Sequence, residues 1–152
     1  MSNIEVNLKE VWPIMKEVID SGGEFTFFPH GTSMMPLIRQ GLDSVVLVMA
    51  EDLKEGDAVF YQRDNGQFVL HRIVKIKDGQ YIMCGDNQYE LEYGIERRHI
   101  LAKVKAIKRD GYTVDDSIPE YRKYVKGLAF MRLKRKVGVK LYKIKNKILK
   151  KN

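Results

Sequence analysis

Near the N-terminus, apolar residues recur at three- and four-residue intervals. Leu8, Val11, Trp12, Met15, Val18 and Ile19 share one helical face, and Ser21-Gly22-Gly23 supplies a stop. The spacing predicts an amphipathic helix within residues 1–23. Pro13 lacks an amide hydrogen and crowds the preceding turn, so the helix is expected to begin near Val11 or to kink there.

From Phe25 to Val114 the pattern changes to short β-type runs: FTFF, SVVLVM, DAVFYQ, QFVLHRIVKI, QYIMC, ILAKVKAIK and YTV. Asp64-Asn65-Gly66, Asp78-Gly79 and Asp110-Gly111 separate some of these runs, and each supplies the positive φ that tight hairpin turns require. An antiparallel meander follows. Several runs, such as SVVLVM, are apolar on both parities, which predicts a closed or two-layered sheet covered on both faces. The expected fold is mainly β: a small antiparallel β-barrel over residues 24–116.

After Pro119 the chain reads as a basic helical tail, residues 117–152, with Leu141, Ile144, Ile148 and Leu149 set among lysines. Gly127 and Gly138 are expected to break it into pieces. Two readings are open: the apolar stripe packs on the barrel, or residues 120–152 lie peripherally on an anionic membrane surface.

Composition narrows the class. A chain of 152 residues with 44% hydrophobic content suits one domain with an appendage. The net charge of +7 is unevenly spread: residues 1–116 carry 14 Lys and Arg against 19 Asp and Glu, whereas residues 117–152 carry 13 against one. The basic character therefore belongs to the tail, and no nucleic-acid partner is expected of the body. A single cysteine, Cys84, excludes an intrachain disulfide and any multi-cysteine zinc site, and fits a reducing compartment. No metal or organic cofactor is expected. The N-terminal stretch carries acids within its apolar pattern and reads as neither a secretory signal nor a membrane span, so a cytoplasmic protein is expected.

The stretch PHGTSMMPLIRQG, Pro29 to Gly41, carries the candidate chemistry. A nucleophilic serine needs a tight turn, backbone N–H groups near the developing oxyanion and a base within reach. Around Ser33, Gly31 permits close backbone approach, Thr32 offers a hydroxyl, and Pro36 stiffens the exit. Met34 and Met35 offer apolar side chains that pack beneath the turn or line a pocket. The alternative is that Ser33 caps a short helical turn over Met34 to Ile38.

GTSMMPLIRQGLDSVVL is followed by LKEGDAVFY, LHRIVKI, MCGDNQYELE and ILAKVKAI. In order and spacing these resemble the successive blocks of the type I signal peptidase superfamily, which includes the self-cleaving domains of SOS and phage repressors. The resemblance spans Phe25 to about Ile107. It implies that Ser33 is the nucleophile. The position of the housekeeping enzymes' lysine base holds His71, which is similar to the histidine-type branch; an imidazole with a reference pKa of ~6.5 accepts a proton near neutral pH. Asp86 matches the superfamily's acidic position and is implied to orient His71. A Gly-Asp-Asn sequence is also ordinary turn chemistry. Where the histidine branch often carries a second aspartate, this chain has Glu90 and Glu92, so Glu92 is the other candidate third acid. Housekeeping enzymes carry a hydroxyl residue where this chain has Gly31.

The resemblance implies a serine endopeptidase cutting an extended peptide after small side chains, with the peptide laid along a strand edge. Together with the expected lack of an anchor, it points to removal of a leader from a dedicated precursor. A repressor-like regulator is disfavoured, because only one helix precedes the β region. A catalytically silent peptide-binding protein of the same fold is the remaining alternative. His30 and His99 are assigned no role, and Cys84 is expected to be a buried thiol.

Overall fold

A computed structural model describes residues 7–150. The expectations for residues 1–6 and 151–152 lie outside the described residues. Helix α1 (Leu8–Asp20) starts earlier than predicted, because the side chain of Asn7 accepts a hydrogen bond from the Lys9 amide and caps it. Pro13 is carried inside the helix. Its missing bond is offset by tertiary packing: Met15 and Ile19 are fully buried, and Trp12 meets the rings of Phe60 and Phe68. The predicted stop is a Schellman turn. Gly22, at φ +83°, donates to the Ile19 carbonyl, and Gly23 donates to that of Val18.

The body is one antiparallel sheet of β1 (Phe25–Phe27), β2 (Ser44–Val48), β3 (Ala58–Gln62), β4 (Phe68–Lys77), β5 (Gln80–Cys84), β6 (Glu92–Glu96), β7 (Ile100–Arg109) and β8 (Tyr112–Val114). The spatial order is β1-β2-β7-β3-β4-β5-β6, and β8 pairs with β7 beside the main path. All three predicted hairpin turns form. Asp78-Gly79 and Asp110-Gly111 have positive φ at both residues, and Gly66 closes the β3–β4 hairpin at φ +87°.

The expectation of a closed barrel fails. The pairing path is open, with β1 and β6 each hydrogen-bonded to a single strand, so the sheet is not a closed barrel. The two-sided apolar pattern instead reflects two core clusters on opposite faces. Along β3, Ala58 and Phe60 enter the cluster under α1, while Val59 and Tyr61 enter a second cluster with Ile73, Met83 and Ile95. Strand β6 was also not predicted. Its sequence, EYGIE, buries only Ile95, and Gly94 sits at φ +82°, so neither composition nor alternation marks it as a strand.

Helix α2 (Pro119–Leu149) runs unbroken through Gly127 and Gly138. Neither glycine takes a positive φ, so each weakens the helix by about 1 kcal/mol without ending it. Near its start α2 docks on the body through Tyr121, Tyr124 and the buried Leu128. Among the described residues no helix is long and apolar enough to cross a membrane.

Candidate active site

Ser33 lies in an irregular turn after β1 and not at the start of a helix, and its hydroxyl makes no capping bond among the described residues. The turn is built from both ends. Met34 and Ile38 are buried in the cluster beneath α1, and the Ile38 amide donates to the Met34 carbonyl. Downstream, fully buried Asp43 receives Arg39 and Arg109, and Arg109 also donates to the carbonyls of Pro36 and Leu37. These bonds, Arg39 foremost, hold the Asp43 carboxyl well below the usual carboxylate range. The Met35–Pro36 peptide is cis. Met35 is half-buried and Pro36 exposed, so of the two methionines only Met34 belongs to the core.

Loop 85–88 closes on the turn from the other side. The Asn87 amide donates to the Ser33 carbonyl at 2.8 Å, and Asn87 Nδ2 donates to the Thr32 carbonyl at 3.1 Å. Gly85 makes this contact sterically feasible, because a Cβ there would lie 2.6 Å from the Ser33 carbonyl oxygen. Gly31, at φ +93°, occupies backbone space that side-chain-bearing residues rarely adopt. Among the described residues the amides of Ser33 and Met34 donate to no partner, so the turn retains free N–H groups beside the hydroxyl.

His71 comes from β4 and, with Ser33, lines a cleft of about 280 Å³. Pro29, His30 and Gly31 form one wall, and Gln67 to Leu70 continue the wall that carries His71. A second hollow, bounded by Arg63, Met83 and residues 87–92, adjoins it at His71. His30, to which no role was assigned, is thus a wall of the cleft.

The Nδ1 atom of His71 lies 3.3 Å from the Tyr61 hydroxyl, which donates at 2.6 Å to Glu92 Oε1. Tyrosine has one hydroxyl proton and Glu92 takes it, so the phenol oxygen accepts from Nδ1–H. This leaves the Nε2 lone pair free. Nε2 has no partner among the described residues and is not among the buried unsatisfied atoms, so it is accessible. Ser33 Oγ meets the same two conditions, and no hydrogen bond joins them. Arg63 fixes Glu92 with two bonds, of 2.7 and 2.8 Å. Burial pushes the Glu92 carboxyl up, but the bonds from Arg63 and Tyr61 outweigh it and leave the group below its ordinary range. Burial drives His71 down to about 4, against the pull of Glu92, so the ring is neutral at neutral pH.

Among the described residues Asp86 makes no hydrogen bond to His71, although its charge, like that of Glu92, favours the protonated ring. Neighbouring residues on a strand point to opposite faces, and Asp86 belongs with Arg72. Arg72 Nε and Nη2 each reach an Asp86 carboxylate oxygen at 2.8 Å, and Tyr124 donates to the same carboxylate at 3.1 Å. Both ion-pair partners are at most 2% exposed. Arg135 of α2 caps the Asp86 carbonyl. Asp86 therefore organises the loop that holds Ser33, while Glu92, through Tyr61, is the acid connected to His71.

The sequence reading missed Tyr61 and Arg63. The Asp64-Asn65-Gly66 turn carries the signal that identifies Tyr61: it pairs Val59 with His71 and Tyr61 with Val69, placing Tyr61 diagonally across from His71 on one face. His99 is structural, its Nδ1 accepting the Glu96 amide and its Nε2 lying 2.9 Å from Asp64. Cys84 is buried, and burial pushes its thiol up. No family model matches the chain, and no curated protein matches it.

Proposed function

We propose that the chain is a serine endopeptidase of the signal-peptidase and repressor-protease kind, built on an opened form of that sheet. Ser33 attacks a peptide carbonyl, and Nε2 of His71 takes the hydroxyl proton and later gives it to the leaving amine. Water then hydrolyses the acyl-enzyme. Glu92, acting through Tyr61, is the acid that steadies the imidazolium.

One observation carries the reading: Ser33 and a neutral His71 with an unpartnered Nε2 line a single cleft. The cleft also suits an extended substrate. Phe68 to His71 pair with β3 on one edge, whereas pairing with β5 begins only at Arg72. The unpaired edge offers main-chain hydrogen bonds to a peptide lying between β4 and the Pro29–Gly31 wall. Removal of a leader from a dedicated precursor in the cytoplasm is the role proposed. The absence of a Ser33–His71 hydrogen bond favours the second reading, a peptide-binding protein without catalysis; catalytic hydrogen bonds often tighten only when substrate is bound.

Incubation with a peptide library, read by mass spectrometry, separates the two. Cleavage by the wild type that is lost in Ser33→Ala and in His71→Ala supports the peptidase. Capture of peptides by the folded wild type without cleavage supports the silent reading, and identical cleavage by all three proteins overturns the Ser33–His71 assignment.

A further inference from the structure

The distal part of α2 presents Phe130, Leu133, Val137, Leu141, Ile144 and Ile148, spaced by three or four residues on one face. They are 47–70% exposed. At about 100° per residue this face lies opposite the one carrying Tyr124, Leu128 and Arg135, which contacts the body. The stripe therefore points away from the sheet, and docking of α2 leaves it uncovered.

The charges select what covers it. Lys134 and Lys145 flank the stripe on one side, and Lys136, Lys140 and Lys147 flank it on the other. Beyond Glu120 the chain contains no acid, so no ion pair forms within the helix to offset them. Two such helices pairing through their stripes would bring these lysines together, which opposes a homodimeric coiled coil. A surface that offers an apolar interior beneath an anionic layer satisfies both parts at once.

We propose that the Phe130–Ile148 stripe of α2 seats on an anionic phospholipid bilayer, lying in the interface with its flanking lysines at headgroup level. The body is held against the bilayer through the helix face bearing Tyr124, Leu128 and Arg135. The proposal is independent of catalysis by Ser33.

Flotation of the full chain with phosphatidylcholine vesicles, with and without phosphatidylglycerol, tests it. Wild type and Ser33→Ala should both float with the phosphatidylglycerol vesicles and far less with phosphatidylcholine alone. A Val137→Glu, Leu141→Glu variant alters exposed positions and leaves the docked face intact; its partitioning should fall roughly tenfold or more. A Lys134→Gln, Lys140→Gln, Lys145→Gln variant should lose the preference for phosphatidylglycerol. Equal flotation of wild type and the glutamate variant would show adsorption by charge alone and overturn the seating of the stripe. Failure of the wild type to float, or a stripe-dependent dimer by sedimentation with no vesicle binding, would overturn the membrane assignment.

Discussion

The Tyr61 hydroxyl lies 3.3 Å from Nδ1 of His71 and donates its only proton to Glu92. One phenol thus sets the imidazole tautomer and connects it to a carboxylate on β6, outside the loop 85–88 that supports Ser33. Tyr61→Phe removes the acceptor for Nδ1–H while keeping the ring packed. Peptide turnover should fall by roughly 100-fold with little change in KM, and stability by about 1–3 kcal/mol. Steady-state kinetics beside a urea melt measure both; unchanged turnover would remove Tyr61 from the positioning of His71.

Asp86 and Glu92 should respond differently to neutralisation. Asp86→Asn leaves the Arg72 guanidinium buried beside an uncharged partner and should cost about 3–5 kcal/mol. The double replacement Arg72→Met, Asp86→Leu should recover part of that loss. At a temperature where Asp86→Asn is folded, its pH–rate profile should keep the wild-type shape, whereas Glu92→Gln should alter the limb that reports His71. The opposite pattern would return the orienting role to Asp86.

Two glycine-to-alanine replacements should have opposite effects. In Gly85→Ala the new methyl group meets the Ser33 carbonyl at 2.6 Å and Gln88 Oε1 at 2.9 Å. The carbonyl is backbone, so relief must displace the Ser33 turn, with an expected loss of about 1–3 kcal/mol and, on the proposed function, a larger proportional loss of activity. Gly138→Ala, with nothing within 4 Å in α2, should stabilise that helix by up to about 1 kcal/mol. Thermal unfolding and hydrolysis measured on both variants check the contrast.

His71 should remain neutral well below the ordinary histidine range. Burial lowers its pKa from 6.5 to about 4. From about one pH unit above 6.5 the ring is neutral in the folded and unfolded chains alike, and it adds no pH dependence to stability. As pH falls from about 6.5 towards 4, the unfolded chain takes up the proton first, and stability declines by up to about 1.4 kcal/mol per pH unit from this group. Proton NMR of the imidazoles, assigned with His71→Asn, should show His71 titrating well below the ordinary histidine range, and the variant should lose that part of the slope. An ordinary midpoint near 6.5 would contradict the buried setting.

Much of the secondary structure was determined locally, and so was legible in the sequence. Asn7 capping was overlooked, but the apolar face of α1 and its Gly22-Gly23 stop were readable, because both depend on residues within one or two turns. The three hairpins followed from Asp-Gly and Asn-Gly pairs that accept positive φ. Ser33 and His71 were singled out not by their own residues, which read equally as a capped turn and an ordinary strand histidine, but by the order of the blocks from Phe25 to Ile107.

What only the tertiary structure decided were choices among distant partners. Asp86 follows β5 in a sequence block that suggested contact with His71, yet strand alternation sends His71 and Arg72 to opposite faces, and Arg72 takes Asp86. Glu92 reaches Tyr61 only because β6, a polar strand with no sequence signature, folds back along β5. Closure of the sheet was equally beyond local pattern: two-sided burial is met either by a barrel or by separate clusters on the two faces of an open sheet, and packing against α1 and the Ser33 turn realises the second. The same holds for α2, whose amphipathic period was evident in the sequence. Which face turned inward was decided by the bonds that Tyr124 and Arg135 make to Asp86, and these leave the apolar stripe exposed.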